Sequence, residues 1–157
     1  MNVTNRQIAA LAGAGSAGLL LAALMFQVAG YAPCHLCILQ RWPHLAAAVI
    51  GAAIWFLPVP QRLFIWLGAI AAAVALGLAL YHTGVEARWW AGPSDCSGSG
   101  NIANLSVQDL MAQIKAAPVV RCDEVAWSLF GVSMAGWNAI ATSVLLCLWM
   151  VAGLRRR

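Results

Sequence analysis

Leu63 to Tyr81 reads LFIWLGAIAAAVALGLALY, nineteen residues without Asp, Glu, Lys or Arg. A helix of that length crosses the roughly 30 Å hydrocarbon core of a bilayer, which takes about 20 apolar residues. Three further runs have the same character: Ile8 to Ala29, Trp42 to Val59 and Val132 to Leu154. The second is the shortest and opens on Trp42, Pro43 and His44, which places proline in a first helical turn, where its missing N–H costs little. The whole chain fits this reading, at 62% hydrophobic and 9% charged residues, with a mean hydropathy of +0.80. The sequence therefore predicts an all-α integral membrane protein, a four-helix bundle forming a single domain over residues 1–157, in contact with membrane lipid.

The net charge of +4 does not imply a nucleic-acid partner, because the nine basic residues are scattered apart from Arg155, Arg156 and Arg157, which read as a membrane flank. The first apolar run is too long for a signal-peptide core, and Pro33 before Cys34 is not the small residue a cleavage site needs. It is therefore taken as a span.

With four spans, parity puts residues 30–41 and 82–131 on one side, and both termini with the turn 58–62 on the other. The terminal side carries Arg6, Arg62 and the final three arginines in short segments, against Arg41, Arg88, Lys115 and Arg121 opposite. The positive-inside rule then puts the termini in the cytoplasm. Cysteine usage agrees. Cys34, Cys37, Cys96 and Cys122 share the opposite side, and disulfides persist in compartments such as the bacterial periplasm.

Residues 82–131 hold all five acidic residues of the chain, Glu86, Asp95, Asp109, Asp123 and Glu124, with a Gly/Ser-rich run around Cys96. That run predicts turns and mobility. Ser106 and Asp109 have capping-box spacing, with Leu105 and Leu110 as a hydrophobic staple. Val107, Leu110, Met111 and Ile114 then repeat at i, i+3, i+4 and i+7, which predicts a short amphipathic helix lying on the bundle or in the membrane interface.

Cys34 and Cys37 form a C-x-x-C pair. If a helix begins near Cys34, both sulfurs sit at its positive end and Arg41 lies one turn beyond Cys37, and both features favour the thiolate that reacts in disulfide exchange. Ile38 in the fifth position excludes haem attachment. A zinc site lacks a second close pair, since Cys96 and Cys122 are far apart, so no metal is expected. Cys96 and Cys122 read alone as a staple of the long loop, and four cysteines permit three connectivities. Two pairs on one face permit a further reading, in which disulfides exchange in series. Cys147, within the fourth span, reads as a small buried apolar residue.

The ordered set Pro33-Cys34-His35-Leu36-Cys37 with Gln40-Arg41, Tyr81-His82-Thr83-Gly84-Val85-Glu86, Gly92-Pro93 before Cys96, and Arg121-Cys122-Asp123-Glu124 followed by Trp127, Leu129-Phe130-Gly131, Ser133-Met134 and Trp137-Asn138 resembles the disulfide bond formation protein B family. The resemblance implies a quinone-dependent oxidoreductase of the bacterial inner membrane that reoxidises a periplasmic DsbA-like thiol oxidant. It further implies that Cys34 and Cys37 couple to a ubiquinone or menaquinone, with Cys37 as the sulfur meeting the ring and Arg41 and His82 beside it. Cys96 and Cys122 would oxidise the soluble partner, with Cys96 forming the mixed disulfide. The alternative is a structural or partner-binding membrane protein whose outer loops are braced by disulfides.

Overall fold

In the computed structural model, described for residues 4–93, 106, 108, 111 and 120–155, four helices cross in alternate directions: α1 (Asn5–Val28), α2 (His35–Phe56), α3 (Gln61–Glu86) and α4 (Met134–Leu154). All four are long and apolar enough to cross a membrane. α1 packs on α2 and α4, and α3 packs on the same two, so α1 and α3 lie diagonally across the bundle. At the terminal end the side-chain amide of Asn5 donates to the Arg155 carbonyl at 3.2 Å, bringing the first and last helices together.

Side-chain sizes sort as lipid demands. The interior is built from Ala9, Ala12, Ala47, Ala69, Ala72, Ala75, Ala79, Ala135, Ala139 and Ala152, while Leu11, Leu21, Val49, Phe56, Ile70, Val74, Val144 and Val151 face outward. Lipid tails are as apolar as leucine, so nothing drives large aliphatic side chains inward; small residues let helices approach closely enough for dispersion to hold them. The closest approach is between α1 and α2, where a Cβ on Gly13 would lie 2.7 Å from the Gly51 Cα. The largest side chain in this end of the core is Trp149, fully buried against Gly68 of α3, with Ile8, Ile54 and Ile65 in the same cluster.

The helix starts follow local chemistry. Thr4 caps α1 in a capping box with Gln7. Ser133 caps α4, its hydroxyl accepting from the Gly136 N–H at 3.1 Å. The α2 cap is Cys34, whose sulfur accepts from the Cys37 N–H at 3.3 Å.

Two expectations need correction. α2 begins at His35, next to Cys34 as the thiolate argument required and ahead of the apolar run from Trp42, so Pro43 sits well inside the helix rather than in its first turn and leaves the Leu39 carbonyl without its usual donor. The helix can start early because Cys37, Gln40, Arg41 and His44 are spaced at i, i+3, i+4 and i+7, which keeps these polar groups on one face turned into the protein. Cys147 is exposed on the outer face of α4 rather than buried. The all-α architecture is as expected, with one small addition at the cysteine end: β1 (Ser128–Leu129) and β2 (Val132–Ser133) pair antiparallel, Ser128 with Ser133 and Leu129 with Val132. Phe130 and Gly131 both take positive φ, 52° and 77°, the conformation of a two-residue hairpin turn. The helix expected from Ser106 to Pro118 falls, apart from isolated positions, outside the described residues.

Candidate functional site

The C-x-x-C pair occupies the first turn of α2. Cys34, just outside the span, is 4% exposed, and its sulfur lies 2.9 Å from that of Cys37; both thiols are free. The turn itself brings them together, because residues three apart on a helix share a face. The Cys37 thiol, followed by the His82 ring, draws the Cys34 thiol down from its usual range to about 4, and burial only partly opposes this.

His82 comes from the last turns of α3, 4% exposed, with Nε2 3.6 Å from the Cys34 sulfur. The same Nε2 is 3.9 Å from Oε1 of Glu86, one turn on. The other Glu86 oxygen accepts from the Ser133 hydroxyl at the start of α4. On the far side of the ring, Nδ1 is 2.9 Å from Nε2 of Gln40. Asn138 of α4 then donates to Gln40 Oε1 at 2.7 Å, and its own oxygen is 3.1 Å from His44 Nε2 and 3.3 Å from the Thr142 hydroxyl. A connected line of polar side chains thus runs from the cysteines through α3 and α2 to α4, in the midst of an apolar bundle.

A cavity of about 420 Å³ opens beside this line, walled by Leu19, Ala23 and Phe26 of α1 and by Trp127, Met134 and Ala141 from the hairpin and α4. Cys34, Cys37, Gln40, Arg41, His44, His82 and Asn138 also reach it. Its dimensions and its mostly apolar wall with a few convergent polar groups are those of a small-molecule site. Arg41 donates to Gln27 of α1 at 2.8 Å, which holds the guanidinium at the wall. Its Nε is buried with no hydrogen-bond partner among the described residues. A buried donor without an acceptor is costly.

Cys122 is fully buried and disulfide-bonded. It shares one buried cluster with Cys34, Leu36 and Val85, against which Cys37, Tyr81 and Val120 pack. The residues flanking it are solvated: Arg121 donates two hydrogen bonds to Asp123, at 3.0 and 2.7 Å, and this holds the Asp123 carboxyl below the usual carboxylate range. Cys96 lies outside the described residues.

Of the residues expected at the site, the structure brings together Cys34, Cys37, Arg41, His82 and Cys122. The sequence reading missed the roles of Gln40, His44, Glu86 and Asn138 in this network. For Gln40 and His44 the signal was present in their helical spacing with Cys37 and Arg41; Asn138 stands alone in an apolar span. The two sulfurs and the His82 ring nitrogen lie within 4.8 Å of one another, a donor set that could suit a soft divalent cation as well as thiol exchange.

A family profile described as disulfide bond formation protein DsbB matches residues 5–152. Among named relatives, disulfide bond formation protein B of Marinobacter nauticus is 30% identical, covering 98% of this chain and 95% of its own length. The protein of that name from Chromohalobacter salexigens is 33% identical over 89% of this chain and 91% of its own, and that from Dechloromonas aromatica 27% over 82% and 79%. No solved structure matches. The profile spans all four helices, the cysteine pair and the hairpin, and with the relatives it shows that this multi-pass membrane protein belongs to the disulfide bond formation protein B family.

Proposed function

We propose that the protein generates disulfides for a soluble, DsbA-like thiol oxidoreductase of the periplasm and delivers the electrons to a membrane quinone. The observation that carries this is the free Cys34–Cys37 pair, sulfurs 2.9 Å apart, at the wall of a largely apolar cavity of about 420 Å³. In this reading the termini are cytoplasmic and the cysteine end is periplasmic, as the arginine distribution favours.

Cys96 and Cys122 take electrons from the partner, with Cys96 forming the mixed disulfide, and pass them to Cys34 and Cys37. Each transfer is an exchange in which a thiolate attacks a disulfide sulfur and expels another thiolate. The packing of Cys122 into one buried cluster with Cys34 supports a short path for the second exchange. Quinone, when bound, supplies a two-electron acceptor that takes up two protons to become quinol. The Cys34 thiolate and the Cys37 thiol give up two electrons and one proton as their S–S bond forms, so one further proton must enter from solvent. Cys37 faces the acceptor in this scheme. The unsatisfied Arg41 Nε fits an acceptor oxygen, and the guanidinium with the N-terminus of α2 would stabilise negative charge developing there.

The test is quinone reduction by the purified, detergent-solubilised protein supplied with a reduced DsbA-like dithiol protein, with Cys37→Ser as control. Turnover that disappears in the control is the expected result. No turnover with either ubiquinone or menaquinone, or wild-type turnover in Cys37→Ser, would overturn the reading and leave the disulfides as braces.

A further inference from the structure

The polar line behind the cysteines has a direction, set at a backbone carbonyl on one side of Gln40 and by Asn138 on the other. Gln40 Nε2 lies 3.1 Å from the Leu36 carbonyl, which can only accept, so the amide nitrogen must be the atom on that side. The same nitrogen faces His82 Nδ1 at 2.9 Å, and Nδ1 is therefore the acceptor. Gln40 Oε1 in turn requires a donor and finds it in Asn138 Nδ2 at 2.7 Å. Asn138 Oδ1 is thereby turned to His44 Nε2 and the Thr142 hydroxyl, both of which donate to it. Gln40 is 5% exposed, His44 and His82 are 4% and Thr142 is 0%, so bulk solvent has little access to these bonds. Turning over either amide would set oxygen against oxygen or donor against donor at its contacts, at a cost of about 1–3 kcal/mol for each buried group left unsatisfied.

We propose that Asn138, acting through Gln40, is a positioning residue that holds the neutral His82 ring in the tautomer with its hydrogen on Nε2, aimed at the Cys34 sulfur. The 3.6 Å contact between Nε2 and that sulfur is then a hydrogen bond donated to a thiolate. With its lone pair on Nδ1, the ring serves the sulfurs as a donor and not as a third metal ligand. The line does not conduct protons, because side-chain amides do not readily exchange them in relay; it transmits orientation. Asn138 touches neither sulfur. It holds an amide on α2, which holds a ring on α3.

The consequence for turnover rests on the proposed thiol-to-quinone reading, but the tautomer does not, so the experiment separates them. Ring-15N-labelled histidine in the reduced, quinone-free protein, with His82 assigned by difference from His82→Gln, reports which nitrogen carries hydrogen. The wild-type protein is expected to show it on Nε2 alone. Asn138→Asp and Asn138→Leu, which weaken the hold on Gln40, should show a mixture of tautomers and a midpoint for the pH dependence of iodoacetamide capture of Cys34 raised by about one pH unit, the shift expected for one lost hydrogen bond to a charged group. In quinone turnover both should lower kcat and leave KM for the dithiol protein unchanged. Should neither variant fold, Gln40→Glu sets a carboxylate opposite Nδ1 and should draw the hydrogen there. Hydrogen on Nδ1 in the wild-type protein, or a His82 signal that none of the variants moves, would overturn the proposal. A wild-type tautomer as expected with no quinone turnover would leave it standing and reject only the relay.

Discussion

The two ends of the bundle use the same four helices for opposite purposes. At the terminal end Ile8, Ala9, Ala12, Ile54, Ile65, Ala69, Ala72, Trp149 and Ala152 form one apolar cluster, with the Gly13–Gly51 contact close by. At the cysteine end the interior holds Gln40, His44 and His82 beside a cavity. A membrane interior provides no water to satisfy polar groups, so they survive there only when bonded to one another. The terminal end holds the helices together. The cysteine end presents chemistry: its polar groups are satisfied in a line that ends on the Cys34 sulfur, while among the described residues the Arg41 Nε is left without a partner.

This contrast can be broken by substitution. Cys37→Ser, which removes a free thiol, should reduce oxidation of a protein dithiol to background while leaving the unfolding transition near that of the wild type, as activity and thermal unfolding on the same samples would show. Trp149→Ala should do the converse. Loss of a fully buried tryptophan costs about 3–5 kcal/mol, read as a lower unfolding midpoint in detergent, with kcat little changed in the protein that remains folded. A large loss of kcat at unchanged stability would mean the two ends are coupled.

Smaller effects sharpen the picture at the cysteine end. Arg41→Met should raise KM for quinone about tenfold, the worth of one charge-assisted hydrogen bond. Cys34 offers a pH test. Its folded thiol ionises near 4, against about 8.5 for a free thiol. On acidification the folded protein should therefore keep its thiolate until pH falls through about 4, whereas the unfolded chain loses it through about 8.5. Between pH 8 and pH 6, capture of reduced Cys34 by iodoacetamide should change little in the folded protein and fall about a hundredfold after denaturation. The smallest effect belongs to Cys147→Ala. This residue is exposed on the lipid-facing side of α4, so turnover and unfolding should both match the wild type.

Periodicity agrees with the thiolate argument on the start of α2 when the polar residues are read by face rather than by hydropathy. Cys37, Gln40, Arg41 and His44 repeat with the helix, yet a running count of apolar residues breaks at each of them and puts the boundary at Trp42. The hairpin at 128–133 was missed for a different reason. Each strand is two residues long and carries no alternation to detect, and the turn depends on Phe130 accepting a left-handed conformation that glycine alone takes readily.

By itself the sequence determined what is local or topological. Uninterrupted apolar length requires four spans, an even number of crossings returns the chain to the side it started from, and i, i+3 spacing in a first helical turn brings Cys34 and Cys37 together. Tertiary structure alone decided which distant groups meet. Gln40 and His82 are 42 positions apart, His44 and Asn138 are 94, and Gln40 and Asn138 are 98. No local propensity links such residues. They meet because small side chains let α2, α3 and α4 pack closely, and because a buried polar group in an apolar medium is stable only where the fold provides it a partner.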